Sequence, residues 1–175
     1  MGRVTKDIYS YGDIKVIGAN AHVHIGKFTS IADNVKAIML GHNPDNISTF
    51  PFNHKLFLKT FGSIKGNHPK KYGSINIGSD VWLGYNTTIF GGINISDGAI
   101  IAANSTVTRN IKPYEIVGGI PAKYISFRFS EEVIDLLLKV KWWDWPINEI
   151  KKASSILCNN QINDFINYCK SNNKL

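Results

Sequence analysis

Cysteine is scarce: only Cys158 and Cys169 occur among the 175 residues, both near the C-terminus and neither in a C-x-x-C pair. That excludes a disulfide scaffold and a Cys-built zinc site, and reduced thiols are expected. No run approaches the roughly 18 apolar residues of a transmembrane helix. The opening "MGRVTKDIYSY" has no apolar segment for export, and Lys6 stands where an N-myristoylation pattern needs Ser or Thr. A soluble, cytoplasmic chain with no membrane insertion is therefore expected. Concentrated charge is absent too. The net charge is +7, yet only Lys70-Lys71 and Lys151-Lys152 are adjacent basic pairs. Scattered bases argue against a nucleic-acid groove and leave an anionic surface or a phosphate-bearing small molecule as partners.

What the sequence does have is isoleucine in a rhythm of six. In "INIGSDVWLGYNTTIFGGINISDGAIIAANSTVTRNI", aliphatic residues return at Ile77, Leu83, Ile89, Ile95, Ile101 and Val107. Four residues after each comes a small or β-branched companion: Val81, Thr87, Ile93, Ala99, Ser105 and Ile111. A helix repeats every 3.6 residues and a strand every two, so a sustained six argues for short strands joined by turns and wound as a parallel β-helix. Both registers are expected to point inward, with three hexads to a triangular coil. Gly78, Gly84, Gly91, Gly92 and Gly98, with neighbouring Asn and Asp, are expected at the corners. A weaker trace of the same pattern runs through Ile25, Ile31 and Ala37, with Ile17, Val23, Thr29 and Val35 as companions.

Ala37 and Ile77 are not a whole number of hexads apart, so the chain must leave the coil and return; the excursion is placed at about 39–74. Beyond "PYEIVGGIPAKYI" the pattern changes. Ser130, Glu131 and Glu132 read as a helix start, and Val133, Ile134, Leu137, Leu138 and Val140 form an apolar stripe. Pro146 ends or interrupts that helix, and the stretch 147–169 is expected to form another. Trp142, Trp143 and Trp145 read as packing residues. The organisation is a mainly β domain over 1–128 and a helical segment over 129–175. Two coils cannot support themselves, and their flat faces favour self-association.

Five separated stretches, "IGKFTSIADNVKAIM", "GHNPDNISTFPF", "IGSDVWLGYNTTIFGGINISDGAIIAANSTV", "PYEIVGGIPAK" and "RFSEEVIDLLLKVKWWDWP", together span most of residues 25–146. In them the sequence resembles the hexapeptide-repeat acyltransferases, in the xenobiotic acetyltransferase branch that includes streptogramin A and type B chloramphenicol acetyltransferases. "STFPF" and "WWDWP" are the selective motifs. The resemblance implies a left-handed β-helix, a homotrimer with active sites between subunits, and acetyl-CoA as co-substrate with no metal.

It also implies a catalytic role for His42, which opens the excursion. A hydroxyl is a poor nucleophile, and an imidazole titrates in the range suited to a general base. The implied reaction is direct attack of a deprotonated hydroxyl on the thioester. Asp45 or a backbone carbonyl is expected to orient the imidazole. Gly84, Ala102 and Ala103 match a groove for the pantetheine arm, Ile120, Pro121 and Lys123 match the end-of-coil turn near the nucleotide, and Arg109 or Lys123 would meet phosphate. Trp82 is read either as an aromatic beside the site or as core packing.

Relative to the antibiotic-modifying members, the chain looks short before its "IGKFTSI" stretch. With His54, Lys65, His68, Lys70 and Lys71 in the excursion, this places a sugar or nucleotide-linked sugar hydroxyl first among acceptors. An antibiotic hydroxyl, an amino-sugar nitrogen and a non-catalytic scaffold are the alternatives. The γ-class carbonic anhydrases share the coil but hold zinc with three His, and residues 77–112 contain none.

Overall fold

The computed structural model describes residues 3–18 and 21–175, so Met1, Gly2, Ala19 and Asn20 lie outside it. The Met1 and Gly2 part of the leader and acylation readings therefore falls outside the described residues. The chain begins with β1 (Arg3–Lys6), β2 (Ile14–Ile17), β3 (His22–Ile25), β4 (Ser30–Ile31) and β5 (Val35–Ile38). An excursion follows, with β6 (Leu40–Gly41), one helical turn α1 (Leu58–Phe61) and β7 (Lys70–Lys71). The strands resume with β8 (Ile75–Ile77), β9 (Trp82–Leu83), β10 (Thr88–Phe90), β11 (Asn94–Ile95), β12 (Ile100–Ile101) and β13 (Thr106–Val107). They end with β14 (Glu115–Gly118) and β15 (Lys123–Phe127), before α2 (Glu131–Val140), α3 (Ile147–Leu157) and α4 (Ile162–Ser171).

Three sheets collect these strands: a first face β1-β3-β8-β11, a second face β4-β9-β12-β14-β15, and a third face β2-β5-β10-β13. Pairing is parallel except where β15 turns back on β14 and where β6 and β7 pair at the base of the excursion. The chain visits the faces in the order first, second, third and repeats, which is what the hexads encode: one strand and one corner per six residues. Ile77 pairs with Ile95, Leu83 with Ile101 and Ile89 with Val107, so each aliphatic of one coil sits on that of the next.

Both inward registers of the repeat are buried throughout. Each large aliphatic removed from water contributes about 1.5–3 kcal/mol. The inward threonine hydroxyls are satisfied at the corners: Thr29 Oγ1 donates to the Gly78 carbonyl at 2.9 Å, and Thr87 Oγ1 to that of Gly84 at 2.7 Å. Ile17 departs from the expected pattern and is 39% exposed. β2 pairs with β5 through Ile14↔Val35 and Val16↔Ala37, so Ile14 and Val16 take the inward positions and Ile17 opposes Ile38 instead. The spacing between these coils is not three hexads, and the register shifts accordingly.

The corners meet the expectation in part: Gly92 and Gly98 have left-handed φ of 80° and 71°, but non-glycine residues carry most of the corners. Left-handed backbone is carried by Phe28, Asp80, Gly98 and Tyr114 between the first and second faces, and by Asn34, Asn86 and Asn104 between the second and third. Asparagine and aspartate tolerate that region better than most residues. Gly78 and Gly84 are instead required by stacking, since a Cβ there would lie 2.6 Å from the Asp97 and Ala103 amide nitrogens respectively.

The helical segment docks on the last coils through a second core of Tyr114, Leu137, Val140, Trp143, Phe165 and Cys169. Trp143 is buried here, as the packing reading of the tryptophans expects. Lys27 Nζ meets Asp144 at 2.8 Å and helps fasten the segment to the coil. The helix expected over 147–169 is two helices, because Asn159 Oδ1 accepts the Gln161 N–H at 2.8 Å and turns the chain between α3 and α4. Among the described residues, no helix is long and apolar enough to cross a membrane.

Candidate active site

His42 follows β6 directly, where the chain steps off the third face into the excursion. Its imidazole is exposed, and Nδ1 lies 2.7 Å from the Thr49 carbonyl oxygen. A carbonyl only accepts, so Nδ1 carries a proton, and in the neutral ring the lone pair lies at Nε2. The loop from 43 to 49 thus folds back to fix both the tautomer and the ring direction. Asp45, the other candidate for this task, pairs instead with Lys70 Nζ at 3.1 Å.

A second imidazole shares the site. The His68 ring lies 4.8 Å from that of His42, tilted by 59°. Its pKa is lowered, first by desolvation and then by the neighbouring charges of His42 and His54. The shift favours the neutral form of His68 beside His42. The excursion also gathers phenylalanine: Phe50 lies 4.9 Å from Phe52 and 4.7 Å from Phe57, and Phe61 lies 5.1 Å from Phe52. Phe50 adjoins Thr49, so this exposed apolar cluster begins one residue from the carbonyl that holds His42.

The other residues singled out in the sequence lie elsewhere on the coil. Gly84, Ala102 and Ala103 share the corner between the second and third faces, where Gly84 is stacked directly beneath Ala102 and Ala103. Small side chains there keep the outer surface close to the backbone. At its C-terminal end the loop 119–122 crosses the third face, with the Thr106 N–H donating to the Gly119 carbonyl and the Ala122 N–H to that of Thr106. Ile120 and Pro121 on that loop, and Lys123 at the start of β15, are exposed to solvent. Trp82 is 54% exposed on the second face, between Ser30 and Ile100. It is therefore not a core residue.

Arg109 stands apart from this corner. Its Nη2 and Nη1 donate to the Glu115 carboxylate at 2.7 and 3.2 Å, and Nη1 also donates to the Asn110 carbonyl at 2.9 Å. Its fork is engaged within its own loop. The sequence offered a backbone carbonyl as one way to orient His42 but did not say which, and it gave no sign of the partnership of His42 with His68. The first leaves no side-chain signature, and the second joins residues that only the excursion's path brings together. Among the described residues, no group of three His, Cys, Asp or Glu side chains converges to hold a metal.

No family model matches the chain. It is 51% identical over 139 residues to a probable macrolide acetyltransferase of Lysinibacillus sphaericus, covering 76% of this chain and 75% of that protein. It is 43% identical over 141 residues to a chloramphenicol acetyltransferase of Morganella morganii, covering 79% and 67% of the two chains. Among solved structures, an N-acyltransferase from Bacillus cereus in complex with dTDP and 3-hydroxybutyryl-CoA superposes with a TM-score of 0.60 at 20% identity, covering 88% of this chain and 72% of that one. That likeness is one of fold.

Proposed function

This chain belongs to the hexapeptide-repeat acyltransferases, in the branch of the chloramphenicol and macrolide acetyltransferases, and from that premise we propose that it transfers an acetyl group from acetyl-CoA to a hydroxyl of an apolar, antibiotic-like small molecule. The coil is read as left-handed and the location as cytoplasmic. The observation that carries the acceptor reading is the phenylalanine cluster at His42. Such a surface suits a ring-bearing, weakly polar acceptor, and it takes precedence over the sugar-type hydroxyl expected from the excursion's Lys and His content. One of those lysines, Lys70, is already paired with Asp45.

Acetyl-CoA supplies an acetyl group activated as a thioester. His42, held by Thr49 through Nδ1–H, takes the acceptor's hydroxyl proton at Nε2 as that oxygen bonds to the acetyl carbon. It returns the proton to the sulfur as the carbon–sulfur bond breaks, so no acetyl group passes through the protein. The corner of Gly84, Ala102 and Ala103 fits the pantetheine arm because nothing larger than a methyl group stands on it. Ile120, Pro121 and Lys123 would border the nucleotide, with Trp82 on the adjoining face.

Within one chain these two parts stand apart. His42 leaves from the far edge of the third face, and the small-residue corner borders its near edge. Four strand residues alone span about 13 Å. A second copy that sets its corner beside the first copy's excursion unites them, which favours a homotrimer with three shared clefts. Exposed Tyr124, Ile125 and Phe127 on β15 offer apolar surface for such association.

The test is free-CoA release by the assembled enzyme, with chloramphenicol, a macrolide and nucleotide sugars offered in parallel. His42→Ala should lower turnover about 10²- to 10⁴-fold with the oligomer intact. Undiminished turnover removes His42 from the role, and turnover with nucleotide sugars alone overturns the acceptor reading.

A further inference from the structure

A cavity of about 340 Å³ opens between the last coils and the helical segment, away from His42 and the excursion. Apolar side chains, among them Trp142, Ile156 and Phe165, make its walls, and Asp80, Tyr114 and Arg128 contribute the ionisable groups. Its volume lies at the small end of the range for ligand sites.

Tyr114 is 1% exposed, and its hydroxyl has no hydrogen-bond partner among the described residues. A buried hydroxyl without a partner is costly and calls for an explanation. Nor is the ring free to turn away. Tyr114 sits at a left-handed corner with φ 55°, its N–H donates to the Asp97 carbonyl at 2.9 Å, and its own carbonyl accepts the Arg128 N–H at 2.9 Å. The ring lies flat on Gly98, where a Cβ would come within 2.5 Å of Tyr114 Cδ1. Burial, and then the charge of Asp80, push the phenol pKa well above its ordinary value. The group therefore stays protonated and able to donate.

The charges beside it cancel. Arg128 Nη1 meets Asp80 Oδ2 at 2.9 Å and also donates to the Gly98 carbonyl at 2.8 Å. Asn159, Asn160 and Gln161 also line the cavity, with Asn159 Oδ1 accepting the Gln161 N–H at 2.8 Å and Asn160 Oδ1 the Gln161 side-chain amide at 3.0 Å. The cavity thus offers largely apolar walls, no net charge and, fixed by its burial, the unpartnered Tyr114 hydroxyl. We propose that it binds a small neutral molecule, aromatic or branched, whose ketone, ester or alcohol oxygen accepts a hydrogen bond from the Tyr114 hydroxyl. This site is separate from acetyl transfer and does not rest on the acceptor reading.

Acetophenone, ethylbenzene and benzoate serve as probes, titrated into the assembled protein and followed by saturation-transfer NMR. Tyr114→Phe removes one oxygen and keeps the ring. It should weaken acetophenone about 3- to 10-fold while leaving ethylbenzene unchanged, as expected for one hydrogen bond in a buried site. Benzoate should not bind, because nothing compensates its charge. Ile156→Trp should fill the volume and abolish acetophenone binding, whereas His42→Ala should leave it intact. The proposal is overturned if acetophenone does not bind the wild type at millimolar concentration, which would leave the hydroxyl to water alone. It is equally overturned if Tyr114→Phe binds acetophenone as well as the wild type does, or if His42→Ala removes binding.

Discussion

Glu115→Gln should destabilise the fold by about 2 kcal/mol near neutral pH, and the loss should fade in acid. Glu115 opens β14 and is 3% exposed, yet its carboxylate accepts from Arg109 at 2.7 and 3.2 Å and from the Lys112 N–H at 2.8 Å. Glutamine keeps one acceptor oxygen and turns the other position into a donor facing a guanidinium. A charge-assisted hydrogen bond contributes about 1.5–3 kcal/mol. Arg109 is half-exposed and regains water when released, which keeps the net loss near 2 kcal/mol despite the repulsion. For a chain of this length that corresponds to a melting temperature lower by about 4–8 °C. Burial alone would raise the Glu115 pKa, but the Arg109 hydrogen bonds, the Lys112 amide and the charges of both residues outweigh it and leave it below its ordinary value. A depressed carboxyl stabilises fully above its unfolded pKa and loses that contribution as pH falls through the folded one. Thermal unfolding of both proteins from neutral pH to about pH 3 should therefore show a gap that closes in acid. Equal melting temperatures at neutral pH, or a gap that does not change with pH, would refute the reasoning.

Other substitutions separate positioning from packing. Asp45→Asn should change turnover less than about 3-fold, because the Thr49 carbonyl holds His42 and Asp45 forms only an exposed pair with Lys70. A loss as large as that of His42→Ala, measured by CoA release, would transfer the orienting role to Asp45. Gly98→Ala should cost about 2–5 kcal/mol, from a Cβ at φ 71° and from displacing the Tyr114 ring, and should lower the urea midpoint. An unchanged midpoint would mean that the corner relaxes freely.

The period of six made the coil legible because every inward position is set by the same geometry; Ile77 to Val107 needed no tertiary information. Ile17 was misplaced because the connection before β3 breaks the hexad count, and only the pairing of Ile14 with Val35 reveals the shift. Gly78 and Gly84 were identified as special residues for the wrong reason, since glycine serves close stacking and left-handed backbone alike and a single chain does not separate them. His42 stood out through its motif, but a main-chain carbonyl is present at every position and leaves no mark. The engagement of Arg109 with Glu115 was hidden by a corner that folds two residues six apart onto each other.

The excursion leaves the coil without opening it. Gly91 donates to the Ile38 carbonyl at 2.9 Å and Phe90 pairs with Ile38, so the rung closes behind the departing chain, and the β6 and β7 stem tethers what lies beyond. On the proposed function, the residues that confront an acceptor are thus carried on an insert whose length and composition could vary while the prism beneath stays the same. One scaffold can then be fitted to chemically unrelated alcohols by exchanging a single hairpin.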